Sequence, residues 1–268
     1  MSWKDVLHNL TGFYEREQRQ KKVRNYLENQ SFTAQDREAV IDWMIACVDH
    51  YVVSFEVFYL AVSYFDIYLS GRDIEPITSS KLQCLGASCL WISFTRLGQN
   101  QDKLANFLDM VSVTDRHSSE KDLYDMFSHI MTRFHYKTHL ITPYNFLTSF
   151  FFILHLERKH NLRWMSRYIL ELAHYDADIC VKNRYRPSLI ATAALYTGLV
   201  ALRVTVDWIS DLSILTPYTG KEYEFRIVHR RMLKLLKVAS PSKYRSAYTR
   251  YSRKEYNHVA LVDFSFIY

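Results

Sequence analysis

Apolar and small residues fill nearly every position from Leu82 to Phe94, and Gln83 is the one large polar exception. Leu82, Leu85, Cys89 and Ile92 recur at helical spacing, while Leu90, Trp91 and Phe94 cover much of the remaining circumference. A helix that is apolar nearly all round is buried on most sides. At about 16 residues, with Gln83 inside it, the run is too short and too polar to cross a bilayer. Thr78, Ser79 or Ser80 can cap its start, and Gly98 can stop it. The pattern therefore predicts a central helix with others wrapped around it, and small Gly86, Ala87 and Ser88 would let those neighbours come close.

The flanking stretches alternate apolar stripes with punctuation. Val6, Leu7, Leu10 and Phe13 make a stripe ahead of the charged run Tyr14–Lys22, which predicts an N-terminal helix or two over residues 1–30, lying on the outside of a core. Thr33, with Asp36 three residues on, offers a capping box for a helix over Ala34–Tyr51, buried through Val40, Trp43, Met44 and Cys47. A second helix runs from Ser54 to Gly71; after the central helix come one over Asp102–Val111 and another from Ser118–Glu120 to His135–Tyr136. The plan then repeats. Thr142-Pro143 opens a helix through Leu156. Further helices are predicted over Leu162–Val181, Arg186–Leu199, Trp208–Leu215 and Lys221–Val238. The third of the second series is again rich in small residues and apolar nearly all round, so two five-helix units are expected, an internal duplication of pattern rather than identity. From Pro241 to Tyr268 the chain reads as an extended, poorly helical tail.

Composition agrees with an all-α protein: only 6 Gly and 5 Pro stand in 268 residues. The four cysteines, Cys47, Cys84, Cys89 and Cys180, sit inside apolar helical patterns and form no CxxC pair, so they are expected in the core, in a reducing intracellular compartment, with neither a zinc site nor a disulfide framework. Met1–Asp5 leads straight into an amphipathic helix, and no signal peptide is expected. The formal charge of +6 is unevenly placed: Lys221–Tyr256 holds 11 Lys or Arg against 3 Glu. Such a segment suits nucleic acid, an acidic protein partner, or no more than a solvated helix face and a basic tail. No HExxH, Gly-rich phosphate loop, GxSxG or Cys–His arrangement is present, His135 and His139 fall at a junction, and no catalytic constellation, metal site or cofactor is expected.

Several strings, in order and spacing, resemble the cyclin family, specifically its A- and B-type mitotic members. Asp36-Arg37-Glu38-Ala39-Val40-Ile41-Asp42-Trp43 is similar to the opening of a first cyclin box, Tyr59–Ser70 to its second helix, and Leu82-Gln83-Cys84-Leu85-Gly86 to the start of the third. Glu171-Leu172, Asp176-Ala177-Asp178 and Pro187–Ala191 resemble the second box, and Lys243-Tyr244, Tyr251-Ser252 and Val259-Ala260-Leu261 the sequence after it. The resemblance implies a tandem cyclin fold: an N-terminal helical segment over 1–33, boxes over 34–140 and 141–240, and a basic tail over 241–268. It also implies a regulatory subunit rather than an enzyme, in the nucleus or cytoplasm and without membrane attachment, that binds a cyclin-dependent protein kinase and aligns its catalytic Lys–Glu pair.

Residue by residue, Arg37 and Asp66 match the family's internal ion pair and would tie the first helix to the second, unless they are two unrelated exposed charges. The kinase-facing region by resemblance comprises Phe94, Thr95, Arg96, Leu123 and Phe127. Thr95 stands where the family carries a Lys and Phe127 where it carries a Glu, with Arg96 one residue away; Glu120, the nearest carboxylate on that face, is about 10 Å back along the helix. Losing such charge-assisted bonds costs several kcal/mol at an interface centre, which an apolar centre around Phe94, Leu123 and Phe127 could offset; Phe94 and Phe127 also fit ordinary core positions. The family's substrate-docking groove maps to Asp36, Ala39, Val40, Trp43 and Gln83, but Asp36 replaces an apolar residue, Ala46 stands where a Glu is expected, and Trp43 also fits a core. Three functions follow: a divergent kinase-activating cyclin of mitosis or meiosis, a cyclin-like scaffold without ordinary kinase activation, as in meiotic recombination, and, least favoured, a nucleic-acid-binding double cyclin fold.

Overall fold

The computed structural model describes residues 3–72, 74, 76–114, 119–183, 185–204 and 215–266, and among these every regular element is helical. The chain divides into two compact units: residues 21–140 with 180–184, and residues 1–20 with 141–179 and 185–268.

In the first unit α2 (Ala34–His50), α3 (Phe55–Leu69), α5 (Gln101–Thr114) and α6 (Glu120–Arg133) all pack on α4 (Ser79–Arg96). The expected capping box at Thr33 forms: its hydroxyl accepts from the Asp36 amide, and its own amide donates to the Asp36 carboxylate at 2.7 Å. Ser119 and Asp122 build the same device at the start of α6, and the hydroxyl and amide of Ser119 hold the Asp122 carboxyl below the usual carboxylate range. Small residues in α4 serve the predicted purpose. A Cβ on Gly86 would lie 2.8 Å from Val40 Cγ1, so α2 crosses α4 at a point that only glycine leaves open.

The second unit repeats this layout with α7 (Pro143–Ile153), α8 (His160–Tyr175) and α10 (Tyr223–Val238) around α9 (Pro187–Ala201). Gly198 takes the role of Gly86, since a Cβ there would come within 2.6 Å of Ser166 Oγ on α8. The helix expected over Trp208–Leu215 falls, apart from Leu215, outside the described residues. The helix expected over Leu162–Val181 ends earlier, at Tyr175. Asp176 turns extended, its carboxylate accepts from the amides of Asp178 and Ile179, and a wider helical turn, Asp178–Lys182, follows.

Two boundaries differ from expectation. The N-terminal stretch over 1–33 is not one segment: α1 (Trp3–Arg19) packs on α7, whereas residues from 21 onward join the first unit. Val6 and Leu10 are buried, Leu7 is half-buried, and Phe13 and Tyr14 set their rings 6.0 and 5.0 Å from Phe146. Glu17 fixes the register: one carboxylate oxygen accepts from the Ser188 amide at 2.7 Å and the other from its hydroxyl, so an acid of α1 caps the positive end of α9. The tail is not extended either. Ser246–Tyr251 forms a short helix, α11, and 3-10 turns follow at Lys254–Tyr256 and Val259–Leu261. Ala247, Arg250, Tyr251, Val259 and Ala260 are buried against the second unit, which is why these residues fold rather than trail.

Candidate functional site

The first unit is anchored by a buried ion pair. Arg37 Nη2 lies 2.7 Å from Asp66 Oδ2 and its Nε 3.0 Å from Oδ1, a two-pronged contact between α2 and α3. Tyr26, ahead of α2, donates to Asp66 Oδ1 at 2.6 Å and accepts from Arg37 Nε at 3.0 Å. Burial works against the Arg37 charge, but Asp66 and Tyr26 together outweigh it and hold the guanidinium well above its ordinary value. The Tyr26 phenol is pushed up by burial and then by the Asp66 charge. Both partners are buried, so the pair is structural rather than two unrelated surface charges.

The kinase-facing residues expected by resemblance separate into two groups. Phe94 and Leu123 belong to the core and cannot meet a partner directly: Phe94 stacks on Phe107 at 5.4 Å, and Leu123 is buried with its carbonyl accepting from Ser88 Oγ. Thr95, Arg96 and Phe127 do reach the surface. Thr95 donates its hydroxyl to the Trp91 carbonyl one turn back, so it offers a partner no charge and a hydroxyl proton already in use. Phe127 lies against Trp91, with ring centroids 4.3 Å apart, and Trp91 lies 6.4 Å from Tyr124, which is 60% exposed. Trp91 is the one residue between Cys84 and Phe94 that is not buried. The α4–α6 face thus presents Trp91, Tyr124 and Phe127 as an aromatic surface, with Thr95 and Arg96 continuing along α4. Trp91 and Tyr124 were missed in sequence because α4 is apolar all round and Tyr124 sits on a helix with a mixed pattern. The signal was the spacing: Tyr124 and Phe127 are three apart on α6, and Trp91 is one turn before Thr95 on α4.

Neighbouring contacts fix α6 in place. Tyr68 on α3 bonds His129 through its hydroxyl and Nδ1 at 2.8 Å, and burial pushes the Tyr68 phenol up to about 12. Arg133 at the end of α6 occupies the space beside Gly71, where a Cβ would sit 2.0 Å from its guanidinium nitrogen.

The groove residues lie on α2 and α4 around the Gly86 crossing. Ala39, Trp43 and Gln83 are half-buried, Val40 is buried against Gly86, and Trp43 also reaches the core at Phe107, 6.4 Å away. Asp36 spends its carboxylate on the Thr33 cap, so it forms no apolar wall there, and Ala46 is exposed without the acid the resemblance calls for. The basic segment is also partly spent. Arg231 pairs with Asp176 and Asp178 at 2.8 and 2.6 Å, and Arg250 is buried against Glu171 at 2.9 Å. Cys47, Cys84 and Cys89 are buried, Cys180 is half-buried, and burial pushes the Cys47 thiol up to about 12. Among the described residues no group of His, Cys, Asp and Glu is arranged to hold a metal ion, and no helix is long and apolar enough to cross a membrane.

Comparison with known proteins agrees across the length of the chain. The family model for the cyclin N-terminal domain matches residues 9–139 and that for the cyclin C-terminal domain matches residues 141–265. Cyclin-B2-2 of Arabidopsis thaliana is 25% identical over 258 residues, covering 96% of this chain and 57% of the relative. Cyclin-A2 of Gallus gallus is 28% identical over 242 residues, covering 89% and 57%. The chain therefore spans little more than half the length of these curated relatives. Among solved structures, a viral cyclin from herpesvirus saimiri superposes with a TM-score of 0.70 at 19% identity, covering 89% of this chain and 99% of that one, a likeness of fold.

Proposed function

Because the chain belongs to the cyclin family, whose members are regulatory proteins rather than enzymes, we propose that it is a regulatory subunit that binds a cyclin-dependent protein kinase and controls its activity in mitotic or meiotic progression. The observation that carries this reading is the aromatic surface on the α4–α6 face, formed by exposed Tyr124 with half-buried Trp91 and Phe127. Large aromatic rings held on rigid helices bury much area at little conformational cost, which is the chemistry of an interface centre. Apolar burial there would take the place of the charged clamp that Thr95 and Phe127 do not supply, and Arg96 would contribute a cation at the rim. A stiff helical surface suits this task, since little binding free energy is lost to its own ordering and the remainder can shift the kinase's conformational population. The α2–α4 surface at Ala39, Trp43 and Gln83 would offer substrates only an apolar contact. Such a subunit would work in the nucleus or the cytoplasm.

A second reading, a scaffold that binds a kinase without activating it, is favoured by one specific feature: Thr95 and Phe127 replace both members of the expected charged clamp. One experiment tests both. The purified chain is mixed with a panel of cyclin-dependent kinases, complex formation is followed by size-exclusion chromatography and titration, and phosphorylation of a histone substrate is assayed. A complex that activates, weakened at least tenfold by Phe127→Asp or Tyr124→Asp, supports the first reading. A complex without activity supports the second. No complex with any kinase, or affinity indifferent to both substitutions, overturns the proposed interface.

A further inference from the structure

The outward face of α10 carries a row of cations that the kinase reading does not use. At 100° per residue, Arg226, Arg230, Lys234 and Lys237 fall within about 80° of helical arc, opposite the buried Phe225, Val228, Met232 and Leu236. All four are exposed, and none has a carboxylate partner among the described residues. A solvated helix face that serves only solubility gains stability by mixing signs at i, i+4. This face does the reverse: Arg226–Arg230 and Arg230–Lys234 are like-charge pairs one turn apart, and Lys234–Lys237 is a third at i, i+3. The row is closed at both ends by apolar side chains, Tyr223 at 73% exposure and Val238 at 54%. From one end to the other the face measures about 22 Å at 1.5 Å per residue.

We propose that this face of α10 docks an acidic segment of a partner protein, a helix or extended run whose carboxylates pair with the four cations and whose flanking apolar residues cover Tyr223 and Val238. Charge complementarity sets the sign of the partner, and the apolar ends set its class. A nucleic-acid backbone would use the cations and could stack a base on Tyr223, but it has nothing that gains from contact with Val238. A protein segment offers both kinds of group at once, and a partner helix repeats its side chains at the same spacing of about 6 Å per four residues. Such a row also steers an acidic partner by long-range attraction, so association should slow as salt rises.

The test uses the chain alone, so its outcome does not depend on the kinase reading. Binding is followed by fluorescence polarisation with a labelled synthetic peptide of about 15 residues, carrying Glu at every fourth position and Leu at both ends, its helical length matched to the face. A labelled DNA duplex and a labelled single strand serve as competing probes. The peptide is expected to bind. The double variant Arg230→Glu/Lys234→Glu should lower its affinity tenfold or more, and Val238→Asn about threefold. Both substitutions lie on the surface, and the first turns the 226/230 and 234/237 pairs into opposite-charge pairs while 230/234 stays a like-charge pair of the other sign. The double variant should therefore melt no earlier than the parent chain; lost binding then cannot be put down to lost folding. Failure of the peptide to bind, or binding indifferent to the double variant, overturns the proposal. So does DNA binding tighter than peptide binding and untouched by Val238→Asn, which assigns the face to nucleic acid.

Discussion

Each unit buries an arginine against a carboxylate that also accepts from a tyrosine hydroxyl, and the two trios are assembled from different parts of the chain. In the first unit Asp66 on α3 receives Arg37 from the preceding helix and Tyr26 from the chain before it. In the second unit Glu171 on α8 receives Arg250 and Tyr251, consecutive residues of α11, both at 2.9 Å to the same oxygen. The acid occupies the same place in both, near the end of the second helix that packs on the central one. The difference shows what is conserved physically. A carboxylate buried among apolar helices needs a guanidinium and a further donor, and whichever segment passes closest supplies them. In the first unit the arginine comes from an element of the repeat and the tyrosine from the chain ahead of it; in the second both come from the chain after the repeat. The last part of the chain is thus a structural member of the second unit.

The largest test of this comparison is to delete residues 241–268. Removing Arg250 and Tyr251 leaves Glu171 facing a cavity, along with the apolar surface that Ala247, Val259 and Ala260 covered. The second unit is expected to lose its cooperative melting transition, while the first keeps its own; differential scanning calorimetry with limited proteolysis distinguishes them. A truncated chain that melts as the full chain does would make the second trio an ornament.

Next in size are single charge removals. Arg37→Met and Arg250→Met should each cost about 3–5 kcal/mol in urea unfolding, because each strands a buried carboxylate. The double variants Arg37→Met/Asp66→Leu and Arg250→Met/Glu171→Leu should recover most of that loss, since a packed apolar pair has no desolvation cost to repay. A cost below about 1 kcal/mol for Arg250→Met alone, in the range of exposed pairs, would end the equivalence of the two trios.

The two trios were unequally legible. Arg37 and Asp66 stand on long helices with strong apolar stripes and a capping box, so a need for a partner could be read from position, and the resemblance to the family's internal ion pair named the two as partners. Arg250 stands in a six-residue helix within a segment whose dominant feature is positive charge. Nothing local distinguishes it from Arg245 or Arg253, and its partner lies 79 residues earlier. The same limit hid Trp91. On a helix apolar all round, the exposed residue is decided by where neighbours leave a gap, and Phe94, three residues on, looks identical by pattern. Element positions were legible because capping and periodicity are local; pairings across the fold and the exposed side of a central helix are not.

The units should also differ in acid. The second unit holds His229 on α10, half-buried with Nδ1 2.9 Å from Thr197 Oγ1, and burial lowers its pKa from 6.5 to about 4, with Arg230 adding to the effect. Between those values the unfolded chain binds the proton and the folded one does not, so stability present above pH 6.5 is lost as pH falls toward 4. The shift corresponds to roughly 3 kcal/mol. Glu17 works in the opposite direction: burial raises its carboxyl above the ordinary value, so protonation at low pH relieves part of that cost. The expected result is a net acid weakening of the second unit, by less than the His229 contribution alone. His229→Gln should flatten or reverse that dependence, as measured by urea midpoints from pH 7 to 4.5, while the first unit's transition is unmoved by the substitution. An unchanged pH slope in the variant would place the acid sensitivity elsewhere.

The smallest expected effect concerns how helices stop. Five helices end on the same pattern, in which the residue after the cap adopts a positive φ and the following amide reaches back five residues: Val52, Gly98, His135, His155 and Arg203 hold the positive φ. Gly98 marked its stop in the sequence, whereas the other four left no signal beyond the change of pattern. Val52 is the most strained, since a β-branched residue at φ 49° crowds its own carbonyl, and at 77% exposure its side chain gains little contact in return. Its carbonyl accepts from Lys103 Nζ at 2.8 Å, a bond that needs no side chain. Val52→Gly should therefore relieve strain of about 1–2 kcal/mol and lose about 0.5–1 kcal/mol to the freer unfolded chain. The net is a gain of up to about 1.5 kcal/mol in the first unit alone, read from its thermal midpoint. His155→Gly in the second unit should gain less, because histidine tolerates this region better than a β-branched residue does. Equal gains would show that branching at Cβ does not set the cost, and a loss for Val52→Gly would show that its exposed methyl groups hold a contact worth more than the strain they impose.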